Sequence, residues 1–176
     1  MNLELIRFDD PALRTPPSEF DFEKNDAKEY ASNLTKRMIE LGGVGLSANQ
    51  VGLDMKVFCI GVRNPSTKED FKRVLFNPVL VGVNDETSLV KEGCLSVPGL
   101  YLNVKRPTEC TITYRNEDNE EKTERFLGIA ARVALHEYDH MLGVSFLNRV
   151  SKFKLDRALK ALNKKSKKIL KQSELI

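Results

Sequence analysis

The sequence predicts an α+β fold: mostly antiparallel β-sheets packed around one central helix, with an amphipathic helix at the C-terminal end. Three observations carry that expectation. Runs rich in Val, Ile and Phe fill the middle of the chain and are joined by polar stretches. Residues 128–142 keep the 3.6-residue rhythm of a buried helix. A second helical segment, crowded with lysine, follows it. Strands that precede and flank a single inner helix belong to the segregated α+β class.

The elements follow in chain order. Asn25 is placed to cap a helix that runs to Leu41. Within it Ala27, Tyr30, Ala31, Leu34, Met38 and Leu41 keep the i, i+3, i+4, i+7 spacing, and Gly42-Gly43 ends it. Residues 56–62 (KVFCIGV) and 73–83 (RVLFNPVLVGV) are expected as strands, with Pro78 marking a bulge or an edge in the second. Residues 109–114 and 122–126 flank RNEDNEE and should form a hairpin. The central helix at 128–142 is closed by Gly143. A last helix over 154–170 presents Leu155, Leu159, Leu162, Ile169 and Leu170 on one side.

At 176 residues the chain is expected to form one domain: residues 1–150 hold the chemistry, and 151–176 add a basic helical extension to the same domain. Cys59, Cys94 and Cys110 are too few and too irregularly spaced for a disulfide framework. The opening MNLELIRFDD lacks the apolar run of a signal peptide and the pattern of a transit segment, and no apolar run is long enough for a membrane span. Free thiols in a cytoplasm, bacterial or that of a phage host, are therefore expected. The net charge of +3 hides an asymmetry. Ten Lys or Arg stand against one Asp between Arg149 and Lys171, which leaves the rest of the chain at −6. Such a segment fits an anionic partner such as RNA, or simply a solvated helix face.

The chemistry is concentrated in His136-Glu137-Tyr138-Asp139-His140, which contains both histidines of the chain. On a helix, positions four apart share a face, so both imidazoles can meet one ion with Glu137 beside them. The same face continues through Val133 and Ile129, which would make the pocket dry. The bland alternative is a pair of ordinary core or surface histidines. A catalytic centre of this kind needs three protein ligands and one open position. No histidine follows His140, and Asp156 and Glu174 lie on the lysine-rich tail. A thiol upstream is the natural third ligand. Cys59 sits in an apolar strand and Cys110 at a strand start, whereas Cys94 lies in KEGCLSVPG, where the backbone turns. Cys94, His136 and His140 would then hold one divalent ion; otherwise Cys94 is a plain loop cysteine.

Glu92-Gly93-Cys94-Leu95-Ser96 and the HEYDH segment resemble two signatures of the peptide deformylase family. Gly43-Val44-Gly45-Leu46-Ser47-Ala48-Asn49-Gln50 is similar to a third, and Asp9-Asp10-Pro11-Ala12-Leu13-Arg14 to the family's N-terminal element. The resemblance runs from about residue 3 to residue 150. It implies metal-dependent hydrolysis of the N-formyl group from formyl-methionine on newly made polypeptides, with release of formate. The metal would be held by Cys94, His136 and His140, with metal-bound water as nucleophile and Glu137 as general base and acid. Gln50 and the backbone N–H of Leu95 would stabilise the developing oxyanion, and Gly45 would let the substrate backbone lie close. The implied cofactor is one divalent ion, Fe²⁺ natively, for which Zn²⁺, Ni²⁺ or Co²⁺ can substitute. Nascent formyl-Met chains are the implied partner, with the ribosome docked through the basic C-terminal helix.

The chain departs from the family pattern in three places. Ser47 stands where Ala is usual, and its hydroxyl needs a partner if buried. Leu135 replaces a common Gln before the first histidine. Arg132 falls one turn before His136, in the pocket formed by Val44, Ile129 and Val133. There it is expected to be a rim residue with its head in water, or else to narrow and polarise the pocket. Glu92 is expected to pair with Arg106 and brace the segment carrying Cys94. Two other readings compete: a metallopeptidase built on the same helix motif, and a non-catalytic RNA- or ribosome-binding module with a structural metal.

Overall fold

The computed structural model describes residues 3–63 and 70–173, with side chains given for 3–62 and 71–164. Ile169 and Leu170, expected on the apolar side of the last helix, have side chains outside the described set. Among the described residues there are three α-helices, and seven strands form a five-stranded antiparallel sheet and a separate two-stranded one. No described helix is long and apolar enough to cross a membrane.

Helix α1 spans Ala27–Glu40. Its cap is Asp26, not Asn25: the Asp26 carboxylate accepts from the N–H groups of Lys28 and Glu29, the orphan donors of a first turn. Asn25 instead uses its amide to close the preceding turn onto the Asp21 carbonyl. The strands of the large sheet run β1 (Gly45–Ser47), β2 (Val57–Arg63), β3 (Asp70–Val83), β6 (Glu109–Arg115) and β7 (Glu121–Leu127), adjacent in that order. Strand β2 lies between β1 and β3, and both its faces are covered. Its period-2 alternation sends Val57 and Cys59 to a core with Leu34 and Met38 of α1, while Phe58, Ile60 and Val62 face the other way. That is why VFCIGV reads as unbroken apolar sequence rather than a clean alternation.

Pro78 does mark an irregularity: the β3–β6 register shifts between Phe76 and Val79. Asn77, just before it, holds φ at +48°, which L-residues adopt at a cost. Its side chain compensates, accepting from the Phe20 N–H at 2.7 Å and donating to the Phe20 carbonyl at 3.0 Å.

The two-stranded sheet was not evident in the sequence. Strands β4 (Thr87–Cys94) and β5 (Val97–Pro107) pair antiparallel across a two-residue turn, with a register break at Gly93/Cys94. Leu100, Leu102, Val104 and Arg106 alternate inward on β5. Helix α2 (Gly128–Met141) is sandwiched between the two sheets. It packs on Phe58, Ile60, Leu75, Ile112 and Phe126 on one side, with Ala131 and Ala134 allowing close approach. Helix α3 (Lys152–Ser173) begins two residues earlier than expected and lays Leu155, Leu159 and Leu162 on the β5 core of Val97, Leu100 and Leu102.

Replacing Asn77 by Ala removes both bonds to Phe20 and keeps the unfavourable φ. The expected loss is about 2–3 kcal/mol from two hydrogen bonds and one left-handed residue, read as a lower urea midpoint at constant m. Asn77→Gly should recover the backbone share.

Candidate metal centre and catalytic cleft

Cys94 ends β4 at the register break, on a strand terminus rather than in the loop expected. His136 and His140, both buried, lie one turn apart on α2. The two sheets hold strand end and helix together, so the Cys94 sulfur and a ring nitrogen of each histidine all fall within 4.8 Å of one another. Cys94 Sγ is 3.5 Å from His140 Nε2. A tetrahedral ion at about 2.3 Å from sulfur and about 2.0 Å from nitrogen places those two ligands roughly 3.5 Å apart. The donor set therefore fits a divalent ion. Burial, with the His136 and Arg106 charges, holds His140 down at about 3, so it stays a neutral ligand. His136 is pushed up to about 10: burial opposes its charge, but hydrogen bonds to Cys94 and Glu92 outweigh it.

Gln50, buried in the turn after β1, reaches the same centre. Its Nε2 donates to Cys94 Sγ and to Ser96 Oγ, each at 3.2 Å. Its Oε1 accepts from both the N–H and the hydroxyl of Ser47, each at 3.0 Å. The hydroxyl that distinguishes Ser47 is thus fully buried and satisfied, and it fixes which way the Gln50 amide faces. Asn49 donates to the His140 carbonyl at 2.9 Å.

Glu137 is 4 % exposed, and its Oε2 has no hydrogen-bond partner. Burial raises its carboxyl to about 7 against the His136 and Arg106 charges. A buried acid poised near neutrality suits proton transfer in both directions. Gly45 has a neighbour the sequence did not reveal: a Cβ there would stand 2.3 Å from Glu137 Oε1 and 2.8 Å from Val133 Cγ1. Its missing side chain is the space Glu137 occupies.

The centre opens into a cleft of about 480 Å³ lined by Val44, Gly45, Gln50, Leu95, Ile129, Arg132 and Val133, among others. Val44 and Ile129 are more than half exposed at its mouth, and Val133 is buried. A larger, more open groove lies between α1 and the sheet, away from these donors.

Glu92 pairs with Arg106 as expected, through two bonds of 2.7 and 3.0 Å. The remaining contacts were not legible. Glu92 Oε2 lies 3.1 Å from His136 Nδ1, which leaves that ring's Nε2 to the Cys94 side of the centre. Arg106 also donates to Asp139 at 2.9 Å and to the Leu135 carbonyl at 3.4 Å, and Asp139 is paired again by Arg149. Arg132 corrects the sequence-based expectation. It is no rim residue: at 5 % exposure it donates to Glu92, Val104 and Ser88. Leu135 packs in the α2 core. Cys59 and Cys110 are buried free thiols that burial pushes up, Cys110 to about 12.

If the three donors form the metal centre, Cys94→Ala should leave no tightly held ion. Dialysed wild-type protein is expected to carry about one equivalent of divalent metal by elemental analysis, and the variant a small fraction of that.

Comparisons with known proteins agree on one family. The model for "Polypeptide deformylase" matches residues 2–156. A peptide deformylase from Wolbachia sp. subsp. Drosophila simulans (strain wRi) is 33 % identical, with 98 % of each chain covered. One from Flavobacterium johnsoniae is 37 % identical over 88 % of this chain and 84 % of its own. Among solved structures, the Ehrlichia chaffeensis peptide deformylase superposes with a TM-score of 0.84 at 28 % identity, covering 96 % of this chain and 98 % of that one. The Synechococcus elongatus enzyme in complex with actinonin gives 0.82 at 30 % identity, covering 92 % and 86 %. With its thiol, histidine pair and buried glutamate gathered at one cleft, the chain belongs to the polypeptide deformylase family, whose members remove N-formyl groups from nascent polypeptides.

Proposed function

We propose that deformylation in this chain runs on Cys94, His136 and His140 as metal ligands and on Glu137 as the proton-transferring group. The carrying observation is the convergence of the three donors within 4.8 Å beside a buried carboxyl raised to about 7. A divalent ion held there would supply Lewis acidity, lowering the pKa of water from 15.7 to about 7 and polarising the formyl oxygen. A formamide is otherwise inert at neutral pH. Glu137 takes a proton from the attacking water and later delivers it to the leaving amine. The Gln50 amide and the Leu95 N–H would stabilise the oxygen that becomes negative, with Gln50 locked in orientation by Ser47. Val44, Ile129 and Val133 receive the methionine side chain, with the Arg132 stem beside them. The family resemblance gives Fe²⁺ as the native ion, with Zn²⁺, Ni²⁺ or Co²⁺ as substitutes, and a thiolate with two imidazoles accepts any of them.

The cytoplasm, where formylated chains are made, is the location this substrate implies. Residues 1–150 carry the chemistry, and 151–176 extend the same domain, a division supported by the packing of α3 on the β5 core. Exposed Lys152, Lys154, Arg157, Lys160 and Lys164 give α3 a basic outer face suited to ribosomal RNA.

Two measurements test this reading. Formate should be released from formyl-Met peptides while unformylated peptides stay intact; the opposite pattern would favour the peptidase. Glu137→Gln should lower kcat by about 10²–10⁴ with the ion retained, and undiminished turnover would remove Glu137 from proton transfer. Because α3 packs on β5, the ribosome reading is better tested by charge than by deletion. Changing the five basic residues above to Gln should weaken low-salt ribosome co-sedimentation by about tenfold or more. Unchanged co-sedimentation would leave α3 a packing element only.

A further inference from the structure

Arg132 stands on α2 one turn before His136, so both side chains rise from the same face of the helix. They meet the same carboxylate. Arg132 Nη1 donates to Glu92 Oε1 at 2.6 Å, and His136 Nδ1 faces Glu92 Oε2 at 3.1 Å. One oxygen is therefore held by each helix residue, which fixes the rotation of the carboxylate about its own axis as seen from α2. Arg106 closes the arrangement from β5 with its two bonds to the same group. The rest of the Arg132 head is spoken for. Nη1 also reaches the Val104 carbonyl at 3.1 Å, and Nη2 donates to the Ser88 carbonyl and hydroxyl at 2.8 and 2.7 Å. All four terminal N–H groups bind β4 and β5, so the guanidinium acts on the frame of the site and not on a substrate in the cleft.

We propose that Arg132 is a positioning residue for the metal ligand His136, acting through Glu92. The proposal rests on the reading of Cys94, His136 and His140 as the metal centre. A histidine whose remaining ring nitrogen is held by a carboxylate keeps the tautomer and ring angle that ligation needs. Glu92 can impose that angle only if its own plane is fixed, and Arg106 ties it to the hairpin and, only indirectly through Asp139 and the Leu135 carbonyl, to α2. Arg132 adds a direct bond to the carboxylate from α2 itself, on the turn before His136. Without it, the carboxylate can pivot about the Arg106 fork, and the His136 ring pivots with it.

The test compares wild type, Arg132→Lys and Arg132→Met in the full chain. It measures the Co²⁺ dissociation constant by chelator competition and the melting temperature of metal-free protein. Arg132→Met should weaken Co²⁺ binding about 10–100-fold, the usual cost of losing an outer partner of a metal-binding histidine. Arg132→Lys, which keeps a cation able to reach Glu92, should stay within about threefold of wild type. A lower melting temperature for Arg132→Met with Co²⁺ affinity within threefold of wild type overturns the proposal, because a brace with no influence on His136 gives that pattern. Should Arg132→Met fail to fold, Arg132→Gln decides by the same affinity threshold. Wild-type protein that binds no Co²⁺ would overturn the metal-centre reading and this proposal with it; wild-type binding with an unaffected variant overturns this proposal alone.

Discussion

The buried carboxylate of Glu92 is the interaction on which the site depends. It joins the β4–β5 hairpin, which carries the thiol, to α2, which carries both imidazoles. Charges are costly to bury, and an ion pair in an interior stabilises only when every lone pair is met. Glu92 meets that condition, with four contacts shared between two oxygens. Arg106, Arg132 and Arg149 alternate with Glu92 and Asp139 through the layer between helix and hairpin. Removing a single member would strand a charge away from water, which typically costs about 3–5 kcal/mol. The hairpin is small and, among the described residues, forms a sheet separate from the large one, so this polar layer, with the α3 core behind it, sets where Cys94 stands.

Glu137 works by the opposite logic. It sits one residue from a ligand, with no cation bonded to it and an oxygen left without a partner. Glu92 is pulled down to about 2 and Glu137 pushed up to about 7, although both feel the charge of His136. Burial opposes ionisation in both; the partners decide. Glu92 has His136 and Arg106 in direct contact, whereas Glu137 feels those charges only at a distance. Two carboxyls with divergent acidities suit one as scaffold and the other as the proton-exchanging group proposed above.

The parts of this site that repeat locally were legible in the sequence, and the parts that depend on long-range pairing were not. His136 and His140 follow from helical periodicity, and Cys94 from counting the remaining ligands. The α2 boundaries came within a residue because Gly143 sits beyond its end. The β4–β5 hairpin escaped notice because Gly93 and Pro98 read as a turn region, which masked the alternation of Leu100, Leu102, Val104 and Arg106. Arg132 was misplaced for a related reason. An arginine on a helix face is ordinarily solvated, and only the hairpin folding over it supplies the carboxylate and carbonyls that bury it. Gly45 carried a signal, its small size in a tight segment, but not the identity of the atom it spares.

The Gln50 amide has one further consequence. Both of its hydrogens already have takers, the sulfur of Cys94 and the hydroxyl of Ser96, and its carbonyl is anchored so firmly that the group cannot swivel. An arriving oxygen can take one of those hydrogens only by displacing the sulfur or the serine that now accepts it. If Gln50 serves the oxyanion as proposed, its amide is thus kept occupied before substrate arrives, and Ser96 holds a hydrogen that developing charge would claim.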